Sequence, residues 1–408
     1  MNTQTIAFSN LEKLAMHRRI LLLQGAIGSF FFELAQWLKQ GGARVFKINF
    51  NGGDSFYYPE SQPDTYPYQA AFSEFHDYLE DFIHQNQIDA VVCFGDTRMY
   101  HRVAKEICMA KKIRFWAFEE GYFRPHWVTL EETGVNAFSP LPRDAQWFQA
   151  AFSQLKQQDY IEPEPVAGGF RPVALIAAQY YWQMFVERHR FPDYQHHRSS
   201  SIAYYVKAWL LSGLRYVWYQ HTERHKAQQI KQGELGKFFI LPLQVSTDSQ
   251  IRVHSDYSTV RACLQHVLSS FAINAPDDTK LVVKHHPMDR GFVNYARDIR
   301  RFLRRHPQMR GRVIYVHDVP LPDLLRHGMG MVTVNSTSGL SALIHNMPVK
   351  ILGHASYDMQ GLTSQQHLSQ FWKQPEQPDE ALFHAYRMYH INHTQINGNF
   401  YTQVRLPK

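Results

Sequence analysis

Lys284, His285, His286 and Arg290 are anion-seeking side chains that stand close together in Lys284-His285-His286-Pro287-Met288-Asp289-Arg290-Gly291. They follow Leu281-Val282-Val283, a short apolar β-branched run that reads as a buried strand. Pro287 stops that strand. In open α/β sheets ligands gather at the carboxyl ends of the strands, so His286 arrives where a ligand would sit. A second stretch answers the first. Met331-Val332-Thr333-Val334 is another buried run, and it breaks into Asn335-Ser336-Thr337-Ser338-Gly339 before an apolar helix. A strand, a small hydroxyl loop and a helix N-terminus make a phosphate seat, through free N–H groups and the helix dipole. Ser and Thr also cap helices with no ligand present. Two anion-loaded strand ends in one α/β unit favour the phosphate reading.

Two further groups could do chemistry. Glu119-Glu120-Gly121 ends the apolar run 113–118. Burial and a like-charged neighbour raise one carboxyl pKa of such a pair, which suits acid/base work. Adjacent residues on an extended chain face opposite ways, so only one of Glu119 and Glu120 is expected to face a site. Asp248 lies in Ser246-Thr247-Asp248-Ser249-Gln250, just after the run Phe238-Phe239-Ile240-Leu241. An Asp among hydroxyls stays ionised and can serve as nucleophile or oxocarbenium stabiliser. In isolation the same motif reads first as a helix N-cap.

The elements that must position these groups alternate between strand and helix. Strand patterns occur at 19–25, 45–50, 90–94, 113–118, 238–243, 281–283, 313–316, 331–334 and 349–352, with helical patterns between most of them. Such alternation predicts parallel sheets covered on both faces. A first Rossmann-like domain is expected over 1–150 and a second over 236–375. Between them, 151–235 reads as a helical connector in which aromatics such as Tyr180, Trp182, Trp209 and Trp218 interleave with Arg188, Arg190, Arg198 and Lys226. That texture fits either a membrane interface or solvated inter-domain helices. The tail, 376–408, reads as helical and then irregular, packing back across the first domain. In that first domain the turn at Gly25 and the loop Asn51-Gly52-Gly53-Asp54 follow strands, but they do not spell GxGxxG, so no dinucleotide fingerprint is supported. A tight turn explains them best, with Gly25, Asn51, Gly52 and Asp54 placed to receive an acceptor.

The bulk numbers narrow the function classes. The chain has 408 residues, enough for two cores. Its formal charge is +7, which suits anionic partners: nucleotides, acidic sugars or anionic lipid. No recognition helix or zinc pattern supports nucleic acid. Cys93, Cys108 and Cys263 fit no metal spacing and no disulfide framework, which favours a reducing compartment. No secretory signal pattern and no bilayer-length apolar run is seen. The expected location is cytoplasmic.

Across nearly the whole chain the sequence resembles the KpsS/LipB family, the capsule polysaccharide Kdo transferases of Gram-negative bacteria. The matching blocks are Leu21-Leu22-Leu23-Gln24-Gly25, Phe50-Asn51-Gly52-Gly53-Asp54, Cys93-Phe94-Gly95-Asp96, Ala117-Phe118-Glu119-Glu120-Gly121-Tyr122, Asp248-Ser249-Gln250-Ile251, Lys284 to Gly291 and Val334-Asn335-Ser336-Thr337. The acid-acid-Gly and His-Pro pair also resembles the signatures of bacterial GT-B sialyltransferases. The resemblance implies a GT-B fold, with two Rossmann-like domains facing across a cleft. It implies retaining transfer of Kdo from CMP-β-Kdo to a phosphatidylglycerol-type lipid or its lyso form. The product would prime the poly-Kdo linker of capsular polysaccharide. No cofactor and no metal are expected, since Lys and His neutralise the CMP phosphate. Lys284, His285, His286, Pro287, Gln250, Asn335, Ser336, Thr337 and Ser338 would bind the donor. Asp248 would be the nucleophile, His286 would assist the leaving phosphate, and Glu119 or Glu120 would be the acid/base. A place on the cytoplasmic face of the inner membrane, beside other capsule proteins, follows from such an acceptor. Two other readings stay open: a transferase using another CMP-sugar, and a non-catalytic capsule assembly or export factor.

Overall fold

The computed structural model describes residues 9–154, 163–195, 202–247 and 249–407. The chain divides into two compact units, 1–142 with 147–197 and 385–408, and 143–146 with 198–384. The expected α/β class and two Rossmann-like units are present. The sequence treats 151–235 as one connector, but its two long helices go to different units. Helix Phe170–Val186 belongs to the first and helix Ile202–Thr222 to the second. Each is committed to its own unit by packing that composition does not reveal.

The first unit is built on β1 (Arg19–Leu22), β2 (Arg44–Asn49), β3 (Thr65–Pro67), β4 (Ala90–Phe94), β5 (Arg114–Glu120) and β6 (Trp127–Glu132). Strand β1 is central, with parallel neighbours β2 and β4. Its Ile20, Leu21 and Leu22 are fully buried, because helices cover both faces of a parallel sheet. Helix Phe30–Gln40 lays Phe30, Phe31, Leu34, Ala35 and Leu38 on one side of that sheet.

The second unit is built on β7 (Phe238–Pro242), β8 (Lys280–Lys284), β9 (Val313–Val316), β10 (Gly330–Thr333) and β11 (Val349–Ile351). Its order is β11-β10-β7-β8-β9, and every pairing is parallel. The chain then returns to the first sheet. β12 (Gln395–Asn399) pairs antiparallel with β6, and β13 (Gln403–Val404) pairs with β12. The end of the tail is thus strand where the sequence reads as irregular. Gln-Ile-Asn-Gly-Asn carries one apolar residue, too little alternation to announce a strand.

One local joint bears on the acceptor-side residues. Asn51 caps helix Gly52–Tyr57, its Oδ1 accepting from the Gly53 and Asp54 N–H groups at 2.9 and 3.1 Å. Asp54 turns inward, accepting from the Phe50 N–H at 3.0 Å and the Tyr180 hydroxyl at 2.8 Å. Asn51 Nδ2 and Gln24 Nε2 donate to the same hydroxyl at 3.0 and 3.2 Å. A side chain at Gly52 would meet Glu187 Cβ at 2.4 Å, and one at Gly53 would meet the Tyr180 ring at 2.7 Å. At Gly25 a Cβ would lie 2.5 Å from the Phe31 ring. Gly25, Asn51, Gly52 and Asp54 are therefore occupied by packing and internal hydrogen bonds, so the structure uses this loop as a joint to helix Phe170–Val186.

That joint makes a test. Gly53→Ala forces a methyl into the Tyr180 ring, and overpacking of this kind costs about 1–3 kcal/mol. Urea unfolding followed by far-UV circular dichroism should show the loss. Ser61→Ala, at an exposed position beyond the helix, should change stability by less than about 0.5 kcal/mol.

Candidate functional site

The order of the second sheet sets where a ligand can go. The chain leaves β7 toward β8 and β9 on one side, then crosses to β10 and β11 on the other. The crevice outside the carboxyl ends of β7 and β10 is thus the switch point, the usual ligand position in such sheets. Gln244 follows β7 and Asn335 follows β10, and Gln244 Nε2 donates to Asn335 Oδ1 at 2.9 Å. The loop after β7 is held from the other side by Asp289, which is 2% exposed. Asp289 accepts from the Ser246 N–H at 2.6 Å and from its hydroxyl at 3.1 Å. Asp248 itself lies outside the described residues, two positions beyond this anchored serine. Gln250 lies in the short helix Ser249–Val253, and its side chain is outside the described set.

At the end of β8 the expected cation cluster divides by face. Lys284 and His286 are half-buried, while His285 is 1% exposed. The Tyr315 hydroxyl lies 2.7 Å from His285 Nδ1. Burial and the adjacent His317 pull the His285 imidazole down to about 3, so it is neutral at physiological pH. The expected donor contact at His285 is thus replaced by a packed, uncharged ring. Burial also lowers Lys284 to about 8, against the pull of Asp318. Arg290 forms a buried ion pair with Asp318, which removes it from the free cations. His286 begins the turn Pro287–Asp289, its Nδ1 accepting from the Met288 N–H at 3.2 Å. Pro287 is exposed at the first position of that turn.

Sequence reasoning missed a dyad beside Lys284. Glu223 follows helix Ile202–Thr222 and receives the His317 N–H at 2.8 Å. His317 Nδ1 lies 2.6 Å from its other oxygen. The Tyr219 ring stacks flat on His317, at 3.6 Å and 6°. The partners are 94 residues apart, so no local signal joins them.

The hydroxyl turn after β10 is half-exposed from Asn335 to Ser338. Ser336 Oγ accepts from the Ser338 N–H at 3.2 Å and from its hydroxyl at 2.9 Å. Thr337 makes no side-chain cap bond to helix Ser338–Ile344. The Tyr357 hydroxyl donates to the Ser336 carbonyl, and a Cβ at Gly339 would strike that hydroxyl at 2.2 Å. The turn is therefore stiff, with Thr337 at its apex.

In the first unit, Glu119 and Glu120 end β5 and engage different partners. Glu120 accepts from the Tyr401 hydroxyl at 3.0 Å. Glu119 accepts from the Glu120 N–H at 3.0 Å and from Asn136 Nδ2 at 3.5 Å. The residue is half-exposed, yet protein surrounds the carboxyl itself. Burial pushes it up to about 7, with the Glu120 charge helping. A carboxyl poised there can both give and take a proton. Gly121 is required because a Cβ would sit 2.0 Å from the Trp127 carbonyl oxygen.

The comparisons with known proteins bear on what these sites serve. The family model described as capsule polysaccharide biosynthesis protein matches residues 89–401. The chain belongs to that family. It is 55% identical over 405 residues to the capsule polysaccharide modification protein LipB of Neisseria meningitidis, covering 99% of this chain and 97% of that one. It is 42% identical to the capsule polysaccharide export protein KpsS of Escherichia coli, covering 94% and 97%. Among solved structures, the β-Kdo 2,7 transferase of Thermosulfurimonas dismutans KpsC overlays 90% of each chain at 13% identity, with a TM-score of 0.43. That overlay is too loose to carry chemistry.

Two outcomes test the site description. Glu119 has a native pKa near 7 against an ordinary 4.5, so the native state prefers the neutral acid. The stability this contributes is full below 4.5 and is lost as pH rises through 7. Glu119→Gln should therefore gain stability relative to the parent protein across that interval, read from denaturant midpoints at each pH. Glu223→Ala leaves the His317 donors unpaired, a loss of about 1–3 kcal/mol. Glu223→Gln should recover part of it in the same measurement.

Proposed function

We propose that the chain is a retaining glycosyltransferase that moves Kdo from CMP-β-Kdo to a phosphatidylglycerol-type lipid. The product would prime the linker of a capsular polysaccharide. One observation supports the reading: β8 ends in Lys284 and His286, β10 ends in the Asn335–Ser338 turn, and the loop between them in the sheet, after β7, leads to Asp248 and is bonded to both strand ends through Gln244 and Ser246. A CMP-sugar leaves as a phosphate monoester, so its site must receive growing negative charge. The half-buried Lys284 ammonium, the His286 ring and the hydroxyls of the turn provide for that charge without a metal.

Retention at the anomeric carbon can proceed by two inversions. In that route the Asp248 carboxylate attacks the anomeric carbon as the bond to CMP oxygen breaks. His286 and Lys284 hold the phosphate that departs. The acceptor hydroxyl then gives its proton to a carboxylate and displaces Asp248. Glu119 suits that second step better than Glu120, because its pKa near 7 matches the task. A capsule export role, suggested by the printed name of the KpsS relative, is the second reading.

Purified full-length protein, CMP-Kdo generated in place and a fluorescent phosphatidylglycerol analogue should give one product heavier by Kdo in mass spectrometry. No product with CMP-Kdo, but product with another CMP-sugar, would reassign the donor. No product with any donor would favour the export role. His286→Ala should cut turnover roughly a hundred-fold or more with little change in melting temperature. Without acceptor, intact-protein mass spectrometry should show one added Kdo, and peptide mapping should place it on Asp248. An adduct elsewhere, or full activity in Asp248→Ala, would remove Asp248 from the mechanism and leave the donor reading standing.

A further inference from the structure

Helix Ile202–Thr222 presents its apolar side to solvent. Leu210, Leu214, Val217 and Trp218 are 67%, 72%, 68% and 65% exposed. At about 100° per residue, all four fall with Lys207 in one sector roughly 100° wide. The opposite side is the packed one. Ala208 and Ser212 are buried there, and a Cβ at Gly291 would lie 1.9 Å from the Ala208 carbonyl. The outward side of a helix on a water-soluble unit is ordinarily polar, and a row of bare aliphatic and indole groups on it marks a contact surface.

The same unit carries an arginine row. Arg297, Arg300, Arg301 and Arg304 repeat along helix Ala296–Arg305 at the spacing of one helical face. With Arg310 they line an open depression of about 610 Å³. The acid within that helix, Asp298, is already paired with Arg261 at 3.0 Å. Among the described residues none of these five arginines has a carboxylate partner. Like charges at this spacing repel, so the row is stabilised by an external anion. The helix starts four residues after Phe292, whose ring meets Tyr204 and Trp209 of the apolar helix at 5.8 and 6.4 Å. The two surfaces are thereby tied into one body.

We propose that the second unit docks on an anionic lipid bilayer, the arginine row meeting headgroup phosphates and the Leu210–Trp218 row entering the interface. This deepens the lipid-acceptor reading above and rests on it for its purpose. A soluble polyanion such as RNA or an acidic glycan would use the arginines but has no place for exposed leucine and valine. A bilayer surface uses both. No described helix is long and apolar enough to cross a membrane, so the contact is interfacial. The surface differs from the cations expected from sequence. Arg190 is spent on Glu60 and Glu187, and Arg188 lies over the Phe185 ring at 4.3 Å. Arg198 is outside the described residues.

The test is flotation of the full-length protein with vesicles of equal parts phosphatidylglycerol and phosphatidylcholine. Arg300→Gln, Arg301→Gln and Arg304→Gln together should weaken binding about a hundred-fold, since each cation near such a surface contributes roughly a fivefold change. Leu214→Ser with Val217→Ser should remove the part of binding that survives high salt. Unchanged flotation in either variant would overturn the proposal. So would an arginine variant that loses only heparin or RNA binding, because the row would then serve a polymer. A change from dimer to monomer in the Leu214/Val217 variant, with flotation intact, would assign that row to contact between copies. Melting temperatures of both variants should match the parent, as the altered side chains are exposed. Transfer to a water-soluble acceptor without vesicles should be unchanged in both, so failure of docking and failure of the Kdo reading give different results.

Discussion

Each unit depends on one central parallel strand from which the chain departs in both directions. β1 and β7 occupy that position, and each is buried on both faces. The constraint is topological. Once the chain has run outward on one side of the strand, it must cross back, and a crevice is left where the two directions part. In the second unit the crevice lies between the ends of β7 and β10. A direct amide pair, Gln244 with Asn335, marks the place. The neighbouring turn at His286 sends Asp289 back to grip Ser246, so three separate strand ends are locked into one arrangement. Preorganisation of this kind suits the proposed hold on a phosphate, since the strand ends need not first reorder.

The arrangement also explains why some charged residues in the motif are not ligand groups. Arg290 and Asp318 neutralise one another, and burial with the adjacent His317 keeps His285 neutral. Pairing the outer groups leaves Lys284 as the cation of this motif outside an ion pair. In the first unit the same economy appears at β5. Glu120 is engaged by Tyr401, and Glu119 keeps a raised pKa because protein surrounds it and Glu120 is near.

Strands β1, β2, β4, β5 and β7 to β11 were legible because a strand buried on both faces must be almost continuously apolar. β3, β6, β12 and β13 were not. β3 sits among proline and tyrosine, β6 mixes Trp127 with Glu131 and Glu132, and β12 is mostly amide side chains. The ends of β8 and β10 announced a site because polar residues interrupt apolar runs there. The residues that hold the site in shape gave no such sign. Asp289 stood in the matched block with no role of its own, and Glu223 was not singled out. Their roles exist only through contacts distant in sequence. The Asn51–Asp54 loop misled for the same reason, since its glycines answer to Tyr180 and Glu187 rather than to a ligand.

The bond between Glu223 and His317 joins a long helix to the edge of the second sheet. From Ala208, where Gly291 presses against the helix backbone, to Glu223 is about 22 Å along the axis at 1.5 Å per residue. The contact at Ala208 is backbone against backbone and leaves no room for a side chain at Gly291. A tilt of about 5° there would carry Glu223 roughly 2 Å, more than a hydrogen bond tolerates. The Arg215 guanidinium, which donates to the Arg290 carbonyl at 2.7 Å, and the Tyr219 ring stacked on His317 oppose such a tilt, so the helix and the edge of the second sheet are held in one alignment.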